Sequence, residues 1–337
     1  MTIFLNKYSQ KSNGRVNWQC PSNIALVKYW GKKQEQIPCN PSISFSLKNA
    51  FSRTIIDYDY DPQRQTFEYE LLQKEFNNKK TQNFFLTCLR LNPLLKHFDL
   101  KIESFNSFPH STGIASSASA FGALALCMLN IDYELSGKEI NEGFYQKASY
   151  LARLGSGSAA RSVYGGFVRW DNQYALPLKN IHKNFAGIRD TILIVSSKPK
   201  SISSSKGHAL MNNHPFAQDR YQEAKYNEIE LQHILRNGDW NAFQSMCEVE
   251  ALMLHYMMLT STPSYSLLEE NSLKIIEIIK KFMEKSPYIT YTIDAGPNIH
   301  VLTHPTKFKG LTELVKKVAS RVEDVLYDEI GDGPVKQ

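Results

Sequence analysis

The sequence predicts an α+β chain built as two lobes that join near residues 185–200. Three observations lead there. The chain has 337 residues, enough for one large domain or two closely packed lobes with ample core. Its first half is rich in segments that alternate apolar and polar residues, as half-buried strands do. Its second half is rich in longer segments with apolar residues three and four apart, as amphipathic helices have. The division follows as 1–188 for the N-terminal lobe and 189–337 for the C-terminal lobe.

Residues 15–30 read as a strand because Ile24, Leu26 and Trp30 alternate with Ala25, Val27 and Tyr29. Alternation also marks 43–60 and 66–72, split by a turn at Asp61-Pro62. A polar stretch and a helical pattern fill 77–91, and 98–105 reads as a strand. Helices are expected over 107–129 and 140–153, with a third starting after Gly155. GGFVRW (165–170) and TILIVSS (191–197) read as strands. The polar segment 198–219 is expected to be a long loop and a lid. Amphipathic helices follow over 218–236, 239–260 and 265–285, then a hairpin over 288–304 and a last helix over 309–322.

Bulk properties exclude several classes. Acids and bases are interspersed, with a net charge of +6 and no long basic tract, so nucleic acid is not the expected partner. A mild positive excess suits an anionic small molecule. The cysteines (Cys20, Cys39, Cys88, Cys127, Cys247) are scattered, odd in number and without CxxC spacing. That pattern fits neither a disulfide framework nor a zinc site and favours a reducing compartment. The first fifteen residues lack a long apolar core, and no run of 18 apolar residues occurs. A cytoplasmic protein without a membrane span is therefore expected.

Four segments carry the chemistry-bearing residues. In SFPHSTGIASSASAFGALALCML (107–129), Ile114, Ala118, Phe121, Ala125 and Met128 fall at helical spacing. Ala120, Leu124 and Leu126 cover much of the remaining circumference, so this helix should be buried nearly all round. Its first turn nevertheless carries Ser116, Ser117 and Ser119, and Gly113 lets backbone approach a ligand. The first N–H groups of a helix lack internal partners, and the dipole favours an anion there. Two readings stay open: a phosphate cradle of amides and hydroxyls, or a buried helix capped by serine. No lysine follows the glycine as it would in a P-loop.

RLGSGSAARSVYGG (153–166) places Arg161 within the first turn of any helix that starts near Ser158. Side chains lean toward the helix N-terminus, so its guanidinium would overhang an anion-receptive mouth. The alternative is a glycine-rich loop with a surface arginine. In NIALVKYWGKK (23–33), Lys28 interrupts an apolar strand: it either meets a buried anion or points to water from an edge. In YTIDAGPN (291–298), Asp294 sits at a strand end before a Gly-Pro turn, where it is either a local cap or a cleft carboxylate fit for general-base work.

With NPSIS (40–44) and SISSSKGH (201–208), these motifs resemble in order and spacing the GHMP kinase superfamily and, within it, the mevalonate diphosphate decarboxylases. The likeness runs from about residue 17 to 325. It implies the GHMP kinase fold: an N-terminal lobe like ribosomal protein S5 domain 2 and a ferredoxin-like C-terminal lobe around a deep cleft. It implies a reaction: ATP phosphorylates the 3-hydroxyl of (R)-5-diphosphomevalonate, then phosphate and CO₂ leave to give isopentenyl diphosphate.

The resemblance also assigns roles. Asp294 would orient or deprotonate the hydroxyl, Lys28 would keep Asp294 ionised, and Arg161 would fix the C1 carboxylate. Tyr29, Lys32, Ser156, Gly157 and Ser158 would surround the substrate diphosphate. Ala115, Ser116 and Ser117 would meet the ATP phosphates, with Mg²⁺ bridging phosphate oxygens and Ser117 the protein hydroxyl in reach. Lys200, Ser203 and Ser204 would lie in a mobile loop that closes over ATP. A homodimer is the family's habit. Ser205 stands where some relatives have a basic residue, with Lys206 next to it as a substitute. His208 and His300 are expected to be structural. Rival readings are a mevalonate or phosphomevalonate 3-kinase, a decarboxylase of the monophosphate, and a non-catalytic metabolite-binding protein of the same fold.

Overall fold

The first strand sets the geometry of the site. In a computed structural model that describes residues 3–4, 8, 10–73, 76–108 and 116–337, β1 (Ser12–Val27) alternates buried and part-exposed residues in its first half and is wholly buried from Cys20. The reason is coverage. Its outer half has one face to solvent, where Asn13, Arg15, Asn17 and Gln19 point. Its inner half, with β2 (Ser42–Tyr60), is covered by both lobes. Ile24, Val27 and Phe45 share one apolar cluster with Ile192, Leu231 and Phe243 of the C-terminal half.

After these strands come β3 (Glu68–Leu71), α1 (Lys79–Leu91), β4 (Phe98–Asn106), α2 (Ser116–Leu135), α3 (Glu142–Gly155), the single turn α4 (Ala159–Ser162), β5 (Phe167–Trp170) and β6 (Ala175–Pro177). Asn78 caps α1, its side chain accepting from the N–H groups of Lys80 and Thr81. In α2, all of 118–133 except Ala120 is buried, as the all-round apolar pattern predicts. The second half comprises β7 (Arg189–Ile194), α5 (Ser204–Leu210), α6 (Ala217–Asn237), α7 (Trp240–Leu259), α8 (Glu270–Met283), β8 (Ile289–Thr292), β9 (Ile299–Thr303), α9 (Leu311–Val318), β10 (Asp324–Glu329) and β11 (Val335–Lys336).

Two sheets result. The seven-stranded one runs β11-β1-β2-β4-β3, with β5 also on β2 and β6 on β5. The four-stranded one runs β10-β7-β9-β8, antiparallel throughout. The last segment crosses back: Val335 and Lys336 pair with Gln19 and Trp18 of β1, and Ile330 bridges Leu47. Among the described residues no helix is long and apolar enough to cross a membrane.

Three expectations need correction. The segment 198–219 is not one long loop: it holds α5, a 3₁₀ turn Met211–Asn213 and the start of α6. Its serines misled because serine is also the helix-start residue; Ser203 Oγ accepts from the Lys206 N–H at 3.3 Å and caps α5. The third helix is only α4, so Arg161 belongs to an isolated turn. Strands β6, β10 and β11 were not anticipated. They are short or lie at an edge, where charge and exposure (Tyr327 is 60% exposed) dilute the period-two signal.

Candidate active site

Between the lobes lies a cleft of about 860 Å³. Its described lining holds one carboxylate, Asp294, and the cationic side chains Lys28, Lys32, Lys80, Arg161 and Lys200. That imbalance is the electrostatic signature of a site for a polyanion.

Lys28 is the residue just past β1, and the strand carries it inward rather than to an edge; it is 1% exposed. Its Nζ donates to Asp294 Oδ1 at 2.7 Å and to the Ala25 carbonyl at 2.7 Å. A buried ammonium needs such partners. Asp294 follows β8 by two residues, where the turn that ends in Pro297 begins. Its own carbonyl accepts from the Gly296 N–H at 2.7 Å, so the turn is local while the carboxylate is free to face the cleft. Burial pushes the Asp294 carboxyl up. The charge and hydrogen bond of Lys28, with smaller contributions from His300 and Arg161, outweigh burial and hold it below the ordinary carboxylate value. The group is a carboxylate at neutral pH, with 27% of its side chain open to the cleft.

Arg161 is buried rather than a surface residue. Nη1 donates to Ser42 Oγ at 2.6 Å and Nε to Asn23 Oδ1 at 3.1 Å, and the guanidinium lies over Trp170. Burial lowers its pKa to about 10, so the fork remains charged at neutral pH. Asn23 also donates to the Ser158 carbonyl at 3.2 Å, tying the glycine-rich turn to β1. Gly157 is required there: a Cβ would stand 2.6 Å from Tyr29 Oη. That phenol oxygen is itself buried without a hydrogen-bond partner among the described residues, and burial raises the Tyr29 pKa. Ser156 Oγ and Ser117 Oγ lie 3.1 Å apart, which joins the turn to the mouth of α2.

The remaining candidates sort as follows. Lys32, Ser204, Ser205 and Lys200 line the cleft, and Lys32 Nζ donates to Gln36 Oε1 at 2.7 Å. Lys200 packs over Gly296, and burial lowers its pKa. Ser203 caps α5 and is not among the lining residues. Lys206 is exposed and absent from the lining, while Ser205 is part of it. Ala115 and Gly113 lie outside the described residues. His208 accepts from the Gly31 N–H at 3.0 Å and lies against Tyr29 and Trp30. Burial holds its pKa near about 3, which suits a neutral packing group. His300 is buried against Asp190 at 2.7 Å.

A second chamber of about 760 Å³ adjoins the first. It is mostly apolar, walled by Leu71, Phe76, Ile102, Phe121 and Leu124, and it shares Ser117 and Lys80 with the cleft. Lys80 had no distinguishing mark in NNKKTQN. Burial and the neighbouring Lys32 lower its pKa to about 8. Residues behind the Lys28–Asp294 pair were missed too, although they carry a signal. Glu250 sits in the apolar series Phe243, Cys247, Leu254 of α7, and Arg220 in the series Ala217, Ala224, Leu231 of α6. A charge on the buried face of a helix marks a buried network.

Comparison with known proteins agrees across the chain. Residues 20–176 match the family model of the diphosphomevalonate decarboxylase-like N-terminal domain, and 191–335 that of the mevalonate 5-diphosphate decarboxylase C-terminal domain. The diphosphomevalonate decarboxylase of Candida albicans is 30% identical over 305 residues, 82% of this chain and 81% of the relative. Among solved structures, mevalonate diphosphate decarboxylase from Staphylococcus aureus superposes with a TM-score of 0.81 at 26% identity, covering 97% of this chain and 98% of that one. A structure of MDDEF in complex with MVAPP, AMPPCP and magnesium superposes with a TM-score of 0.82 at 25% identity, covering 97% and 99%.

Proposed function

As the chain belongs to the mevalonate diphosphate decarboxylase family, we propose that Lys28, Arg161 and Asp294 carry out its ATP-dependent decarboxylation of (R)-5-diphosphomevalonate to isopentenyl diphosphate, ADP, phosphate and CO₂. The observation that carries the assignment is the one carboxylate among the described cleft residues, paired at 2.7 Å with a buried lysine in a lining otherwise rich in cations.

A tertiary alcohol is a weak nucleophile, and hydroxide is a poor leaving group. Asp294 accepts the proton of the 3-hydroxyl as the hydroxyl oxygen attacks the terminal phosphorus of ATP and the bond from that phosphorus to the departing ADP breaks. Lys28 keeps Asp294 ionised and offsets negative charge on the transferring oxygen. The C3–O bond then breaks with both electrons going to the departing phosphate. The C1–C2 bond electrons form the C2=C3 double bond, and C1 leaves as CO₂. Once the hydroxyl proton has passed from Asp294 to the transferred phosphate, the regenerated carboxylate stabilises positive character at C3. Arg161, held by Asn23 and Ser42, grips the C1 carboxylate and aligns the C1–C2 bond for cleavage. Lys32, Tyr29 and the Ser156–Ser158 turn take the diphosphate end.

The apolar second chamber suits the nucleoside of ATP, with its phosphates crossing at Ser117 and Lys80 toward Asp294. The donor set fits Mg²⁺ carried by the nucleotide. Among the described residues no group of three His, Cys, Asp or Glu side chains forms a cage, whereas hydroxyls and phosphate oxygens are the hard donors Mg²⁺ prefers. When bound, Mg²⁺ would neutralise phosphate charge, with Ser117 as the hydroxyl in reach. A homodimer is part of this reading: α7 exposes Val249, Leu252, Tyr256 and Leu259 at helical spacing, a stripe that a second copy would cover. Five free thiols support a cytoplasmic setting.

The test is to measure ADP and CO₂ together with mevalonate, 5-phosphomevalonate and 5-diphosphomevalonate. Equimolar ADP and CO₂ with the diphosphate is expected. ADP without CO₂ would make the protein a kinase, CO₂ only with the monophosphate would change the substrate, and neither product would leave a binding protein.

A further inference from the structure

We infer that helix α7 sets the catalytic pair from behind, with Glu250, paired to Arg220, and His255 acting as positioning residues for Lys28 and Asp294. The inference rests on the roles proposed above for that pair. Its two members come from different lobes: Lys28 follows a strand of the first sheet and Asp294 a strand of the second. A 2.7 Å contact between them requires both backbones to be fixed in one frame.

Helix α7 supplies that frame. Glu250 Oε2 accepts the Lys28 N–H at 2.9 Å. Arg220, on α6, donates to both Glu250 oxygens at 3.0 and 2.6 Å and reaches the Lys28 carbonyl at 3.3 Å. Asn227 adds a 2.6 Å bond to Glu250 Oε1, and Asn40 a 2.9 Å bond to the Lys28 carbonyl. The peptide groups on both sides of Lys28 are thus held. Five residues along the same helix, His255 Nε2 donates to the Asp294 carbonyl at 3.2 Å. A carbonyl only accepts, so Nε2 carries the proton, and Nδ1 is left buried without a partner among the described residues.

Stability alone does not account for these choices. Arg220 and Glu250 side chains are fully buried, and apolar groups of similar volume commonly replace such pairs without loss. What an apolar pair cannot do is hold the Lys28 peptide.

The experiment compares the full-length enzyme with the double variant Glu250→Leu/Arg220→Met and with His255→Leu and His255→Gln. The double variant removes both charges together, so neither is left unpaired. Folded double and His255→Leu proteins are expected to lose about 10- to 100-fold in kcat, with both KM values within about twofold. Their kcat/KM should also fall on acidification at a pH where the wild type is still flat, because Asp294 would keep Arg161, Lys200 and His300 nearby but lose close contact with Lys28. His255→Gln restores an N–H donor and should recover most of the activity. Crystal structures give a readout independent of turnover: the Lys28 Nζ–Asp294 Oδ1 separation should exceed about 4 Å. An unchanged separation, or wild-type kcat and pH profile in folded variants, overturns the positioning inference alone. Failure of the wild type to release CO₂ overturns the reaction assignment, while the crystallographic result still decides the positioning.

Discussion

Asp294 meets Lys28 at 2.7 Å. An aspartate before a Gly-Pro turn and a lysine in an apolar strand each had a bland alternative. The 2.7 Å contact between them answers both alternatives at once, since the cleft-facing carboxylate is the partner that the buried lysine needs. Arg161 follows the same logic. Arg161→Ala should lower kcat by about 100-fold while leaving the ATP KM within a few-fold, measured by steady-state kinetics with each substrate varied. A larger effect on ATP would move Arg161 to the nucleotide site. Lys80 yields a pH prediction. Its ammonium is charged below about pH 8 and neutral above it, so kcat/KM for ATP should fall as pH rises through that value. Lys80→Arg keeps its charge over the whole range and should abolish that limb. Lys28 and Asp294 were legible because their charge contradicts their neighbours. Lys80 was not, because one lysine in a polar helix start looks like another; only the folded chain places it between two chambers.

At the scale of elements, the buried helix α2, the long β1–β2 ribbon and the β8–β9 hairpin follow from periodicity alone. Apart from the short edge strands, the failures share a cause: polar residues at special positions. Ser203 was read as loop although it caps α5. Glu250 and Arg220 went unnoticed on apolar faces because other charges stand close to them in sequence, Glu248 by Glu250 and Asp219 by Arg220. They give a stability prediction. Arg220→Ala alone leaves Glu250 buried and uncompensated and should cost about 3–5 kcal/mol in urea unfolding, whereas removing both charges should cost much less. Gly157→Ala is a second test at this scale. The new methyl meets Tyr29 Oη, so KM for the diphosphate substrate should rise more than KM for ATP, measured in the same assay.

At the scale of the whole molecule, the two lobes share a core, and the chain returns from the second sheet to the first through β11. The cleft is therefore walled by segments far apart in sequence, from Asn23 to Ala295. Its existence was legible through motif order, but its charge balance was not, because that depends on which lysines face inward. The proposed homodimer predicts a further outcome: sedimentation of the wild type as a dimer, and of Leu252→Glu as a monomer. The central claim is that Asp294, held ionised by Lys28, activates the substrate hydroxyl. Single-turnover rapid quench with Asp294→Asn and saturating ATP and 5-diphosphomevalonate tests it most directly. Substrate binding should persist in this variant while ADP forms about 10²–10⁴-fold more slowly than in the wild type. ADP formation at the wild-type rate in the folded variant would contradict that claim.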